Sequence, residues 1–184
     1  MKKELKPGTL LYPVPVVLVT CAGKKSGANI ITIAWTGIIC SDPPMVSISV
    51  RPHRHSSSII KESGEFVINV PTEDMLEKTD RCGTTSGRYH DKFDEIGLTP
   101  MEASKVRAPL IGECPVNLEC VVQEVKELGA HDVFLAEVVA AHADDDVLED
   151  DEIQISKAMP LVFCPPTSEY WSLKEKIGEY AFTS

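Results

Sequence analysis

Residues 29–52 read NIITIAWTGIICSDPPMVSISVRP and carry the clearest structural pattern of this 184-residue chain. β-Branched residues are frequent in both halves of the stretch, and Ser41, Asp42, Pro43 and Pro44 form a turn signal between them. The stretch therefore predicts two β-strands joined by a short loop.

Both predicted strands alternate between an apolar face and a face of smaller or more polar side chains. The second kind of face comprises Thr32, Ala34 and Thr36 on the first strand and Met45, Ser47, Ser49 and Arg51 on the second. If the strands pair, these faces join into a shelf on which a planar ligand can approach the backbone closely. A plain solvent-exposed sheet face is the alternative.

The next segment, RPHRHSSSII at residues 51–60, places two arginines, two histidines and three serines directly before a predicted helix. A helix N-terminus offers unpaired N–H groups and a partial positive charge. Arginine adds a planar fork that suits a phosphate monoester, and serine adds hydroxyl donors. The segment favours a phosphate site, and ordinary capping by Ser56 or Ser57 beside two surface arginines is the alternative.

The remaining pattern predicts many short strands and few helices. Strands are expected at residues 13–23, 65–70, 115–122, 133–141 and 160–163, and helices at 57–63, 72–81 and 91–96. Residues 133–141 are apolar on both faces, so a helix stays open there. This content predicts a single, mainly β domain over residues 1–184, a barrel or sandwich with a few short flanking helices.

Charge and cysteine content narrow the functional class. The net charge of −10 argues against a general nucleic-acid binder. Pro13 and Pro15 interrupt the apolar run near the N-terminus, which is typical of a first strand rather than a secretory signal. No stretch reaches membrane-spanning length, and the six cysteines are expected to be free thiols. A cytoplasmic protein is predicted.

Three further segments contain candidate functional residues. The acidic residues 144–152 lack the glycine of a calcium loop, so a solvated loop and no metal site are predicted. In RCGTTSGRYHDKF, at residues 81–93, His90 is a weak catalytic candidate or an exposed loop histidine, and Cys82 is a redox-active or a structural thiol. Tyr170 and Trp171 are placed to cover a flat ligand, the core or a partner subunit.

The order PVPVVLVT, NIITIAWT, PPMVSISVRP and RHSSSIIKESGEFVINV, followed later by SGRYHDKF and EYWSLKEKIG, resembles the flavin reductase-like proteins, especially their flavoredoxin branch. This resemblance implies an FMN-binding split β-barrel and a homodimer with flavin near the subunit interface. The chain has His55 where relatives commonly have an aromatic residue, and Lys174 where they often have glycine in a final helix.

Carried onto this sequence, the resemblance implies contacts to FMN from residues 29–36, 47–51 and 54–57 and from the lysine of DKF. The candidate cofactor-binding residues are Asn29, Thr32, Ala34, Trp35, Thr36, Ser47, Ser49, Arg51, Arg54, His55, Ser56, Ser57 and Lys92.

Three functions are compatible with these observations. The first is an NAD(P)H:flavin oxidoreductase, and the second is a flavoredoxin-type carrier that exchanges electrons with redox proteins. The third is a non-redox barrel whose phosphate site holds another anion. Hydride transfer to a flavin requires no protein nucleophile, so a missing catalytic triad agrees with the first two.

Overall fold

The computed structural model describes residues 1–24 and 26–183. Their strands are β1 Val14–Pro15, β2 Val17–Gly23, β3 Gly27–Ile33, β4 Thr36–Ser41, β5 Pro44–Val50, β6 Glu65–Val70, β7 Pro100–Met101, β8 Leu110–Ile111, β9 Val116–Leu128, β10 His131–Ala143, β11 Leu148–Glu149, β12 Glu152–Ile153, β13 Leu161–Cys164 and β14 Glu169–Ser172. Their α-helices are α1 His55–Ser63, α2 Leu76–Thr84, α3 Lys92–Ile96 and α4 Ile155–Ala158.

One seven-stranded antiparallel sheet forms the body of the protein, in the order β3-β2-β6-β9-β10-β5-β4. Side chains from β2, β3, β5, β6, β9 and β10 meet in one buried apolar cluster, in which Phe66 and Phe134 are the largest members. Strands from both ends of the order can share a core only if the sheet curves around it. The architecture is a mainly β barrel, one of the two folds that the sequence pattern left open, and it agrees with the split barrel that the family resemblance implies.

Two groups of helices cover this barrel. Helix α1 packs against β2 and β3 and contributes Ile59 and Ile60 to the central cluster. Helices α2 and α3 cover the outer face of β2 and β3, where Leu18, Ile30 and Phe93 are buried. The chain from β13 to β14 adds a separate three-stranded sheet with β1.

Most predicted elements are confirmed. Strand β6 has the predicted bounds, and residues 131–143 form a strand rather than a helix. Helix α1 begins at His55, two residues before the predicted start, and ends at Ser63 as predicted, followed by Gly64, whose φ of 71° is left-handed. On β9, Asn117 and Glu119 lie on the polar face of an alternating strand, yet both are buried, because the segment around residues 104–111 covers that face.

The prediction of two strands within residues 29–52 is wrong, because the first of them is split. Strand β3 ends at Ile33 and pairs with β2, whereas β4 begins at Thr36 and pairs with β5. Ala34 and Trp35 form the connection, and the Trp35 carbonyl accepts a hydrogen bond from the Ser49 N–H at 2.8 Å. The continuous polar shelf expected on two paired strands is therefore interrupted.

Two other expectations need correction. The acidic stretch is only partly a loop, because it contains a 3₁₀ turn at Asp145–Val147, with Val147 buried, and the hairpin β11–β12. The final helix implied by the resemblance is replaced by irregular chain over the described residues 173–183. Ile177 and Leu173 are exposed there, so a helix would have little apolar contact to stabilise it. None of the described helices is long and apolar enough to cross a membrane.

Candidate functional site

A cavity of about 410 Å³ opens where β3 and β5 end, beneath α2 and β14. Its lining combines apolar side chains with two arginines, two histidines and one carboxylate. The lining residues are Val16, Ile31, Thr32, Ile33, Ala34, Trp35, Ser49, Val50, Arg51, His53, Arg54, Asp80, Gly83, Thr84, His131, Phe163 and Tyr170. We refer to this space as the main cavity.

Aromatic rings form two walls of the main cavity. Trp35 and His131 lie nearly parallel, with an angle of 8° between their planes and 6.1 Å between ring centroids. Phe163 and Tyr170 form a tilted pair with centroids 5.3 Å apart. The Tyr170 hydroxyl donates to Oδ1 of Asp80 at 3.1 Å. Apolar and aromatic walls with a few fixed polar groups are typical of a site for a flat organic ring.

A smaller cavity of about 250 Å³ adjoins the main cavity and shares Ile31, His53 and Arg54 with it. The remaining residues that line this side cavity carry mostly N–H and O–H donors. They are Asn29, His55, Ser56, Thr85, Ser86, Gly87, Arg88, Tyr89 and Lys92. The side cavity is therefore chemically suited to an anion.

The side cavity lies at the beginning of α1, for which Arg54 is the N-cap residue. Arg54 has an extended backbone and donates through Nη2 to the carbonyl oxygen of Gly83. Arg88 donates through Nη2 to the carbonyl oxygen of His53 at 3.2 Å. Each contact holds a guanidinium group while leaving further N–H donors for a bound anion. The helix N-terminus adds a partial positive charge.

Two glycines allow close packing around these cavities. A Cβ on Gly83 would lie 3.2 Å from Cβ of Thr32, and a Cβ on Gly87 would lie 2.6 Å from Cγ of Asn29. The Asn29 side chain in turn donates to Oγ of Ser56 at 2.8 Å. Gly87 therefore lets the loop before α3 close over the side cavity.

Lys92 is a buried cation at the edge of the side cavity. Its ammonium group donates to the carbonyl oxygens of Ile30, at 2.7 Å, and Cys82, at 2.6 Å, and the residue is only 4% exposed. Burial, together with the nearby charge of Arg54, lowers the pKa of Lys92 to about 8. With a pKa of about 8, the Lys92 side chain loses its positive charge as the pH rises a little above neutrality.

Two of the histidines that line these cavities, His55 and His131, also have lowered pKa values. Burial and the charges of Arg88 and Lys92 lower the pKa of His55. Burial and the charge of Arg51 lower the pKa of His131. Both side chains are therefore biased toward the neutral form, in which one ring nitrogen donates and the other accepts.

The structure brings together most of the residues predicted from sequence. Those lining the main cavity are Thr32, Ala34, Trp35, Ser49, Arg51 and Arg54. Those lining the side cavity are Asn29, Arg54, His55, Ser56 and Lys92.

Four candidates lie elsewhere. Thr36 and Ser47 line a separate surface groove, where the Thr36 hydroxyl donates to the Ser47 carbonyl at 2.8 Å. Ser57 is buried in the first turn of α1, and His90 lies outside both cavities with Nδ1 2.9 Å from Oε2 of Glu95. The split of the predicted strand explains Thr36, because β4 leaves β3 after Trp35 and pairs with β5. Ser47 lies beside β4 on β5, two residues before Ser49, which lines the main cavity near the end of that strand.

Sequence reasoning missed several lining residues. Asp80, Thr84, His131 and Phe163 were not predicted as part of the site, yet all four line the main cavity. They come from α2, β10 and β13, which are distant in sequence from residues 29–57. For Tyr170 the sequence leaves a flat ligand, the core and a partner subunit open as what it covers, and the structure places this residue in the wall of the main cavity.

The cysteines are free, as expected, and all six fall within the described residues. Cys82 is fully buried, and burial raises its pKa to about 11 despite nearby Lys92 and Arg81, which favours the structural thiol over the redox-active one. Burial also raises the pKa of Cys21 and of Cys120, in each case to about 12. Within residues 1–24 and 26–183, no three His, Cys, Asp or Glu side chains are grouped so that they could hold a metal ion.

Comparisons with known proteins agree with this geometry. The family model described as the flavin reductase like domain matches residues 9–172. An uncharacterised protein of Archaeoglobus fulgidus is 36% identical over 135 residues, which cover 73% of this chain and 75% of that protein.

Two solved structures are similar over nearly their whole length. Flavoredoxin of Desulfovibrio vulgaris (Miyazaki F) is 34% identical, with a TM-score of 0.94 and complete coverage of both chains. Flavoredoxin from Methanosarcina acetivorans is 30% identical, with a TM-score of 0.90, and the match covers 99% of this chain and 97% of that chain.

Proposed function

This chain belongs to the flavin reductase-like family, and we propose from that premise that it binds FMN and acts as an NAD(P)H:flavin oxidoreductase. The observation that carries the proposal is the continuity of the main and side cavities through Ile31, His53 and Arg54. A flat-walled space joined to a donor-lined space matches the two ends of a flavin mononucleotide, a planar ring and a terminal phosphate.

The residues present fit such a cofactor. In the side cavity Arg54, Arg88, Ser56 and Ser86 offer donors to a phosphate monoester, and the start of α1 adds a favourable dipole. Lys92 adds a buried positive charge at the edge of that space.

The main cavity fits the ring. Trp35, Ala34 and Val50 provide apolar surface, while Ser49 and Arg51 add polar groups on the same strand end. An arginine placed along a ring edge stabilises negative charge that develops there, because fixed donors act without reorganisation. The cofactor supplies the hydride and electron chemistry, and this chain supplies binding, orientation and electrostatics.

A nicotinamide would bind over the ring from the open side of the main cavity. The family resemblance carries this part of the proposal, since a dinucleotide-binding glycine motif is missing from the sequence. Tyr89, which lines the side cavity and is exposed, is the proposed contact for the dinucleotide, and Arg88 would be shared between the dinucleotide and the FMN phosphate. His90 is a weaker candidate because its ring is 2.9 Å from Glu95 and lies outside the cavities.

A flavoredoxin-type electron carrier is the second candidate function. The 34% identity and complete overlap with the Desulfovibrio flavoredoxin favour it. A carrier would bind flavin in the same cavities but exchange electrons with redox proteins rather than turn over a nicotinamide.

We further propose a homodimer. A groove beside the main cavity is lined by apolar residues of the N-terminal arm and of β4, including Leu10, Leu11, Ile38 and Ile39, and all four are exposed. Trp35 lines both this groove and the main cavity. A second copy seated on the groove would therefore border the flavin site.

We propose a cytoplasmic location from the six free thiols.

Two experiments test the function. Heat release followed by chromatography of the supernatant identifies the cofactor, and finding only FAD, or no flavin after reconstitution, contradicts the FMN proposal. Anaerobic stopped-flow mixing with NADH and NADPH then follows the loss of oxidised-flavin absorbance. Loss of that band supports the oxidoreductase, whereas reduction only by a protein donor supports the carrier.

A further inference from the structure

A shallow groove on the outer surface shares a wall with the main cavity. Its apolar lining comes from Leu76, Leu161 and Trp171, and Tyr170 lines both this groove and the main cavity. Trp171 is 57% exposed and Leu76 is 42% exposed. Exposed aromatic and aliphatic side chains at one place are typical of a contact surface rather than of an ordinary exterior.

Carboxylates surround this apolar centre. Glu73 and Asp74 line the groove, and Glu77 lies four residues after Glu73 on the exposed side of the same helical segment. Glu169 accepts a hydrogen bond from the indole N–H of Trp171 at 3.3 Å. We use the term Trp171 surface for Glu73, Asp74, Leu76, Glu77, Glu169 and Trp171.

The basic residues of α2 engage groups outside this surface. Lys78 donates to the carbonyl oxygen of Gly97 at 2.7 Å, and Arg81 donates to that of Glu95 at 3.4 Å. The carboxylates of the Trp171 surface therefore keep an excess of negative charge around its apolar centre. That arrangement repels the phosphates of a dinucleotide and attracts a cationic rim on a protein.

We propose that the Trp171 surface docks a basic redox protein that exchanges electrons with the flavin of the main cavity. The electron-transfer part rests on the flavin-binding function proposed above. The apolar centre provides contact area, the carboxylates steer the encounter, and Tyr170 joins the docking surface to the cofactor cavity. For a one-electron acceptor, one neutral reduced flavin gives up two electrons and two protons and reduces two acceptor molecules.

Ferricytochrome c, a small basic haem protein, serves as the probe. Its binding to the full-length protein is measured by titration calorimetry at low and high ionic strength, which requires no flavin chemistry. Its reduction by the photoreduced, flavin-loaded protein is then followed by haem absorbance. The test variant is Glu73→Lys/Glu77→Lys, and the control is Glu102→Lys/Glu124→Lys, which changes the net charge equally at exposed positions outside the surface.

We expect the test variant to bind cytochrome c at least tenfold more weakly at low salt and to reduce it at least tenfold more slowly, while the control stays within twofold of the unmodified protein. Trp171→Ala should weaken binding at both salt concentrations. Equal losses in test and control variants would show general charge attraction and overturn the proposal.

A change from dimer to monomer in Trp171→Glu would also overturn the proposal, because the surface would then be a contact between copies of this chain. A protein that binds no flavin would refute the proposed function and the electron-transfer step together. The calorimetric comparison would still decide whether the docking surface exists.

Discussion

Gly87 lies against Asn29 so closely that a Cβ on Gly87 would be 2.6 Å from Cγ of the asparagine. Gly87→Ala should therefore displace Asn29 from Oγ of Ser56 and disturb the side cavity. We expect FMN affinity to fall by about tenfold, the loss of roughly one hydrogen bond to a charged group. Fluorescence titration of the apoprotein with FMN measures this change. Gly178→Ala is the control, since a Cβ there would make an ordinary contact 3.4 Å from Cδ1 of Phe182, and Gly178 lines neither cavity.

Arg54 is the cation most directly placed for the phosphate, because it is the N-cap residue of α1 and lines both cavities. Arg54→Ala should weaken FMN binding by about 1–3 kcal/mol, with a smaller effect on riboflavin, which lacks the phosphate. Arg107→Ala is a matched control, since Arg107 pairs with Glu65 outside the site. An unchanged Kd for FMN in Arg54→Ala would remove this residue from the site.

Lys92 should make FMN affinity depend on pH. Its lowered pKa of about 8 means that the apoprotein loses this positive charge as the pH rises through 8. Phosphate binding favours the charged form, so affinity should fall from pH 7 to 9.5, by about tenfold if the phosphate raises the pKa of Lys92 by one unit. Lys92→Met should bind weakly at pH 7 and show a flatter profile. A steep decline in both proteins would assign the titration to another group.

The groove around Ile38 should hold the second copy of the chain. Ile38 is 85% exposed on β4, so aspartate at this position is tolerated by a monomer but places a charge in the proposed interface. Sedimentation equilibrium should show a mass of twice 20.2 kDa for the unmodified protein and a shift toward 20.2 kDa for Ile38→Asp. Ile153→Asp, an exposed isoleucine on β12, should remain dimeric. A monomeric unmodified protein would contradict the homodimer.

Thiol chemistry should divide the cysteines into two groups. Cys21, Cys82, Cys114 and Cys120 are buried, and burial raises the pKa of each. An aromatic disulfide reagent should therefore react quickly only with the two partly exposed thiols in the folded protein, and with six thiols after denaturation without reductant. Rapid labelling of Cys82 in the folded protein, identified by peptide mass, would contradict its structural role.

The order of apolar, polar and glycine residues along the chain predicts those strands and helices that begin and end at a local sequence signal. Strand β6 is a short run rich in aromatic and β-branched residues that directly follows Gly64, and α1 ends just before that left-handed glycine, so both could be located from the sequence alone. The break at Ala34 and Trp35 could not, because it exists only where β3 pairs with β2 while β4 pairs with β5. Those pairings are set by the order of the whole seven-stranded sheet, in which β3 and β4 lie at opposite ends.

The residues of the candidate site also fall into two groups, those that the local sequence predicts and those that only the fold brings into the site. Arg54 and Ser56 were predictable because they lie in one short basic, hydroxyl-rich segment. His131 and Asp80 join them only through the fold, from β10 and α2. Their own neighbourhoods in the sequence contain no signal that would indicate a shared cavity.

Trp35 lies between two spaces, because it lines the main cavity and also the apolar groove proposed as the subunit interface. If FMN and a second copy occupy these spaces as proposed, both contact the same side chain, and cofactor binding and self-association become thermodynamically linked. The coupling free energy at Trp35 would then strengthen the dimer by the same amount that dimerisation strengthens FMN binding. Dilution alone would release flavin from such a protein, and the loaded fraction would report its concentration.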